Sequence, residues 1–150
     1  MRARSSGQHR RAVHPADRSH LADPWTPVGL PRGTPIAGVT DFREPADVLD
    51  LPAGPLRRAG LELAVTEVPG HTPGSVVIAV DGHRLTGEFH FAGTIGRMDF
   101  PGGSEDAMRA SLRSEFACRD DADVVHPGHG ESTTIGAERA TNPYVACAYR

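Results

Sequence analysis

Lysine is absent from this chain, and all 16 basic residues are arginine. Asparagine and glutamine occur once each, as Asn142 and Gln8, a bias that reads as GC-rich coding without functional content. The two cysteines, Cys118 and Cys147, are too few for a disulfide framework or a metal knuckle. They read as free thiols in a reducing compartment, which predicts a cytoplasmic protein. No apolar run approaches the roughly 18 residues of a membrane span. The arginine-rich start has no apolar stretch of the kind a secretory signal needs. A net charge of -3 argues against nucleic acid or an acidic membrane as partner. The first twelve residues hold four arginines and no Phe, Tyr or Trp on which a base could stack. Residues 1–12 are therefore expected to be a disordered tail.

What is present suits one globular domain. The 150 residues match a single-domain length. Hydrophobic residues make up 38%, and Gly (17) with Pro (13) stays below the level of a low-complexity chain. Pro15 to Ala22 suits a short helix, with Pro15 in its first turn and Asp17 at its positive end. Residues 23–60 are rich in proline and glycine and show no clear period, so they are expected to be irregular. Leu61, Leu63 and Val65 alternate with Glu62, Ala64 and Thr66, the pattern of a half-buried strand. It ends at Pro69-Gly70. Residues 75–80 (SVVIAV) form a second strand, Asp81-Gly82 a hairpin turn, and residues 84–87 the return. Residues 104–118 read as a helix capped by Ser104, with Met108, Leu112 and Phe116 along one face as core packing. Residues 123–125 are a short strand opening into a glycine turn.

Three groups of chemically active residues follow strand ends. They are His71 within PGHTPGS at 69–75, Glu88 within TGEFH at 86–90, and His129 within HPGHG at 126–130. Two imidazoles and a carboxylate on rigid turns suit a borderline-soft divalent metal such as Zn²⁺. His90 and His126 fit as outer neighbours of such ligands. His9, His14, His20 and His83 read as solvated. Each turn alone is a weak signal, because a histidine in a turn is most often a hydrogen-bonded surface residue.

The order of these motifs resembles the metallo-β-lactamase superfamily, and within it the glyoxalase II-like (hydroxyacylglutathione hydrolase-like) enzymes. HTPGS at 71–75, TGExxFAGTIGRxDxPGG at 86–103 and HPGHG at 126–130 carry the resemblance. VHPADR at 13–18 and TTIGAERATNPYV at 133–145 extend it. The resemblance implies an α/β fold, an αββα sandwich, with a partial domain over residues 13–150. It also implies a two-metal site, of Zn²⁺ or else Fe or Mn, whose bridging hydroxide attacks a small-molecule thioester. His71 would be a ligand of the first metal and His129 of the second, and Glu88 stands where the family has a bridging aspartate. Arg97 and Asp99 would shape the loop behind the site.

Three departures qualify that expectation. The family's HxHxDH motif, which supplies four of about seven ligands, is absent. Glu88 is one methylene longer than aspartate, a shift of roughly one C–C bond against metal–oxygen distances of about 2.0–2.2 Å. The sandwich's N-terminal strands have no counterpart, which predicts an N-terminally truncated chain, and the helical domain that helps the longer enzymes bind glutathione has none either, which leaves glutathione open as the substrate's carrier. The expectation is then a catalytically impaired hydrolase homologue holding one Zn²⁺ weakly or none. The alternative is a non-catalytic interaction or structural module that forms an oligomer through an open sheet edge.

Overall fold

The structure is a computed structural model, and it describes residues 11–150. Of the expected tail, residues 1–10 lie outside the described residues, while Arg11 and Ala12 belong to the first strand. That strand, β1 (Arg11–Val13), pairs in parallel with β2 (Val48–Asp50) in a small separate sheet. The main sheet begins with β3 (Gly54–Arg58), β4 (Leu61–Glu67), β5 (Val76–Val80) and β6 (His83–Gly87). A small hairpin, β7 (His90–Phe91) and β8 (Thr94–Ile95), follows. Then come helix α1 (Glu105–Ala117), strands β9 (Val124–Pro127) and β10 (Thr133–Thr134), and helices α2 (Ile135–Thr141) and α3 (Pro143–Ala148). The six-stranded sheet runs β10-β9-β6-β5-β4-β3. All its pairs are antiparallel except β6 with β9, which α1 connects as a crossover.

Local chemistry explains the elements. Asp81 and Gly82 both take positive φ (47° and 76°), the backbone of the tight hairpin turn that an Asp-Gly pair favours. Ser104 caps α1 by accepting from the Ala107 N–H at 3.2 Å, with Glu105 and Asp106 in the positive first turn. Met108, Leu112 and Phe116 are each at most 2% exposed and pack with Val77 and Val125 of the sheet. α1 therefore covers one sheet face, and Ile135 and Val145 bring α2 and α3 into the same core.

The register places Leu85 beside Ile78, and Ile78 beside Val65, on the opposite face. There Leu61 and Leu85 remain 48% and 47% exposed. Among the described residues, the strands outside the six-stranded sheet form two small pairs, β1–β2 and β7–β8.

The stretch 23–60 is more ordered than its composition predicts. Trp25 is buried, donates its indole N–H to the Thr34 carbonyl at 2.6 Å and meets Phe42 edge-on at 5.3 Å. Arg18 ties the stretch down through Glu44 and Asp50, each at 2.8 Å. The expected helix at 15–22 is a 3-10 helix, Pro15–Leu21, capped by the ring of His14.

Candidate metal centre

Each expected ligand sits on a turn fixed by its neighbours. The 69–75 turn lies against α1. A Cβ on Gly70 would come within 2.6 Å of the Met108 Cα, so only glycine admits this approach. The Ser104 N–H donates to the Gly70 carbonyl at 2.9 Å, and the Ser111 hydroxyl to the Pro69 carbonyl at 2.8 Å. On this turn His71 places Nδ1 2.8 Å from the Arg97 carbonyl. A carbonyl can only accept, so Nδ1 carries a proton, and the tautomer of the uncharged ring is the one with a bare Nε2. That is how a metal-binding histidine is commonly oriented.

Arg97 serves the site through its backbone. Its guanidinium pairs with Asp99 and lies 3.9 Å over the Phe100 ring. The bond from Arg97 holds the Asp99 carboxyl well below its ordinary range, at about 2. The two side chains neutralise one another and brace the loop whose carbonyl orients His71.

Glu88 leaves the end of β6, and its Oε1 lies 3.0 Å from His129 Nδ1. The carboxylate accepts, so His129 carries a proton on Nδ1, in a contact between two exposed side chains. Phe91 of the β7–β8 hairpin packs against the His129 ring at 4.4 Å between centroids. Two glycines permit this arrangement. A Cβ on Gly96 would overlap the Glu88 carbonyl and stand 3.3 Å from the His71 Cβ. A Cβ on Gly128 would lie 2.8 Å from Glu88 Oε1. Glu88, Arg97 and His129 line one open cavity of about 470 Å³.

The outer histidines serve other structures. His126 spends both ring nitrogens elsewhere, on His83 at 2.9 Å and Ser132 at 3.0 Å. His90 is 1% exposed and bonded to Glu138 at 3.2 Å. Burial lowers the His90 pKa, and the Glu138 charge offsets part of that shift. Of the histidines read as solvated, His83 is exposed and His14 is not. His14 bonds Glu67 at 2.9 Å with a side chain only 13% exposed, and His83 bonds His126.

Two contributors carried no signal of their own in the sequence. One is Phe91. The other is Glu138, a 2% exposed carboxylate that accepts from the Gly93 N–H (2.9 Å), Asn142 (2.8 Å), Thr133 (2.8 Å) and His90. It locks the hairpin bearing Phe91 to α2 and to the start of α3. Only the length of the TTIGAERATNPYV match marked that region, and nothing in it singled out the glutamate.

A profile of the metallo-β-lactamase superfamily matches residues 3–129. The chain belongs to the metallo-β-lactamase superfamily. An uncharacterized protein of Mycobacterium tuberculosis is 41% identical over 142 residues, covering 89% of this chain and 63% of the relative. The hydroxyacylglutathione hydrolase GloC of Haemophilus influenzae is 35% identical over 92 residues, covering 60% of this chain and 43% of that enzyme. The crystal structure of TTHA1623 in a di-iron-bound form superposes with a TM-score of 0.66 at 32% identity, covering 89% of this chain and 63% of that one. The chain thus spans less than two-thirds of the length of these relatives.

Members of this superfamily bind metals, and the donor set can be tested against that. Among the described residues, no group of three or more His, Cys, Asp or Glu side chains converges to hold an ion. Glu88 and His129 meet each other, and His71 does not line the cavity they share. The described residues therefore do not fit a two-metal centre: the turns that carry His71, Glu88 and His129 are present, and their donors do not converge on one ion.

Proposed function

We propose that this chain is a metallo-hydrolase homologue of the glyoxalase II-like type, with thioesters as its family substrate class and with impaired catalysis as it stands. The observation that carries the reading is the 3.0 Å bond between Glu88 and His129. It occupies the carboxylate at the place where the family has a bridging ligand. The partial match to GloC supports the thioester class. Zn²⁺ is the metal we assign to any residual binding, through His129, His71 or both, and the di-iron relative makes iron the competitor. Two or fewer donors per ion give weak binding, because each lost ligand removes part of a chelate.

Native mass spectrometry with and without a chelator tests this, together with hydrolysis of an acylglutathione thioester. At most one metal, lost to mild chelation, and hydrolysis no faster than in buffer are expected. Two tightly held metals and chelator-sensitive hydrolysis would overturn the reading.

A second reading has support from the open sheet face: a module that binds another chain through its unpaired edge. Leu61 and Leu85 favour contact there. The edge strand β3, however, carries Pro55, Arg57 and Arg58, which disfavour strand addition. Light scattering decides, since a monodisperse monomer would sink this second reading.

A further inference from the structure

Asp17 lies more than fifty residues upstream of the His71 turn, in the first turn of the 3-10 helix Pro15–Leu21. Its position suggests a residue serving its own helix, but the helix is capped by His14, whose ring accepts from the Ala16 N–H at 3.3 Å. Both carboxylate oxygens of Asp17 instead point at the His71 turn. Oδ1 accepts from the Gly74 N–H at 2.9 Å, and Oδ2 accepts from the Thr72 hydroxyl. Because Thr72 gives its proton to Asp17, Ser75 must donate to Thr72 across their 2.8 Å contact. The Ser75 oxygen in turn accepts from the Thr72 N–H at 3.1 Å. The order of donors is thus set by one carboxylate. A Cβ on Gly74 would stand 2.6 Å from the Asp17 Cγ, so glycine is required for the carboxylate to enter. The Asp17 side chain is only 17% exposed, and the other ionisable group facing it, His20, is 3.9 Å away. Bonds to an ionised acceptor are roughly twice as strong as neutral ones.

We propose that Asp17 is a positioning residue for His71. By holding Thr72 and Gly74, it fixes the turn so that His71 Nδ1 stays on the Arg97 carbonyl and Nε2 is kept bare. The α1 contacts hold the turn's start at Pro69 and Gly70, and Asp17 holds its far side, leaving His71 between two anchors. Its value to a hydrolase rests on the reading above; the geometry does not.

The test reads the His71 ring by ¹⁵N NMR on the full chain, in chelator, at a pH where the ring is neutral. The wild type should show His71 as a single Nδ1–H tautomer. Asp17→Ala should convert it to a mixture of both tautomers. Asp17→Asn should retain the single form, because its carbonyl oxygen still accepts from Gly74 and its amide can donate to Thr72. Asp23→Ala is the control for general loosening of the segment. Asp23 caps the next 3-10 turn through Trp25 and Thr26 and makes no bond to the His71 turn. An unchanged tautomer in Asp17→Ala would overturn the proposal. So would an equal change in Asp23→Ala, or an Asp17→Asn variant no better than Asp17→Ala. If Asp17→Ala does not fold, Thr72→Val removes one of the two ties, and a wild-type tautomer there overturns the proposal too. No metal or substrate enters the measurement, so an inactive chain leaves it intact, and its failure leaves the hydrolase reading standing.

Discussion

Replacing Glu138 by alanine is expected to cost about 3 kcal/mol. The carboxylate accepts from Gly93, His90, Asn142 and Thr133. Three of these donors have other recourse. Asn142 retains the Thr94 carbonyl at 3.2 Å, and Thr133 is half-buried and can turn to water. Gly93 is exposed, so its N–H can also turn to water. The His90 Nε2–H is left buried without a partner, and an unsatisfied buried donor costs about 1–3 kcal/mol. The methylenes removed leave a small cavity worth about 1 kcal/mol more. His90 can shed part of its cost by moving its proton to Nδ1, which draws the total toward the middle of the range. Against a domain stability of about 5–15 kcal/mol, that loss is large. Urea unfolding followed by far-UV circular dichroism measures it, with Glu138→Gln expected to lose less because it keeps the shape and one acceptor. The variant should also disturb the His129 ring resonance, because Glu138 holds the hairpin that carries Phe91. A loss below about 1 kcal/mol for Glu138→Ala would mean that water already satisfies these donors, and the account of this network would be wrong.

Stability should fall on acidification in two stages. His90 is held below its ordinary 6.5 by burial, so the unfolded chain takes up that proton first, and stability declines as pH drops through 6.5. Burial pushes Glu138 up, but the bonds from Asn142, Gly93 and Thr133 outweigh it and hold the carboxyl below its ordinary 4.5. A second decline therefore follows below 4.5, and urea midpoints between pH 7 and 3.5 should show the first stage vanish in His90→Gln. Gly96→Ala should displace Glu88, since its Cβ would overlap the Glu88 carbonyl, and the Glu88–His129 bond should be lost from the His129 ring spectrum. A wild-type spectrum would show that the 88–96 loop can give way. Arg84→Met leaves the 2% exposed Glu115 side chain with only Arg119 at 3.2 Å, and a loss of about 3 kcal/mol is expected. The double variant with Glu115→Leu should recover at least half of it by urea unfolding. Equal stability of the single and double variants would refute the charge argument.

The legible parts of the fold were those governed by neighbours in the chain. Asp81-Gly82 announced its hairpin because few residues accept positive φ twice in succession, and Ser104 with the Met108–Leu112–Phe116 stripe announced α1. The misread parts depend on distant partners. The stretch 23–60 has no period, yet Trp25 finds Thr34 and Phe42, and Arg18 finds Glu44 and Asp50. Helices α2 and α3 are too short to show a stripe. Their caps, Thr134 and Asn142, are visible only once the helices are known. At the site, His71, Glu88 and His129 were found from motif order, but their mutual geometry was not. Sequence does not say that Glu88 reaches His129, nor that Asp17 turns away from its own helix.

The length of Glu88 decides how this site behaves. A glutamate at the end of β6 reaches over Gly128 to the inner nitrogen of His129, and its extra methylene makes that reach. An aspartate on the same backbone ends roughly one C–C bond short, where the carboxylate faces the cavity. Glu88→Asp should therefore release His129 Nδ1, and the ring should lose its single tautomer in ¹⁵N spectra. The change corrects only one departure, because the four ligands of HxHxDH are still lacking from the sequence. Two imidazoles and one short carboxylate could at best hold one ion, so metal affinity is expected to rise while thioester hydrolysis stays at the buffer rate. If Glu88→Asp alone restores chelator-sensitive hydrolysis, the donors must converge without that motif, and the impaired reading fails.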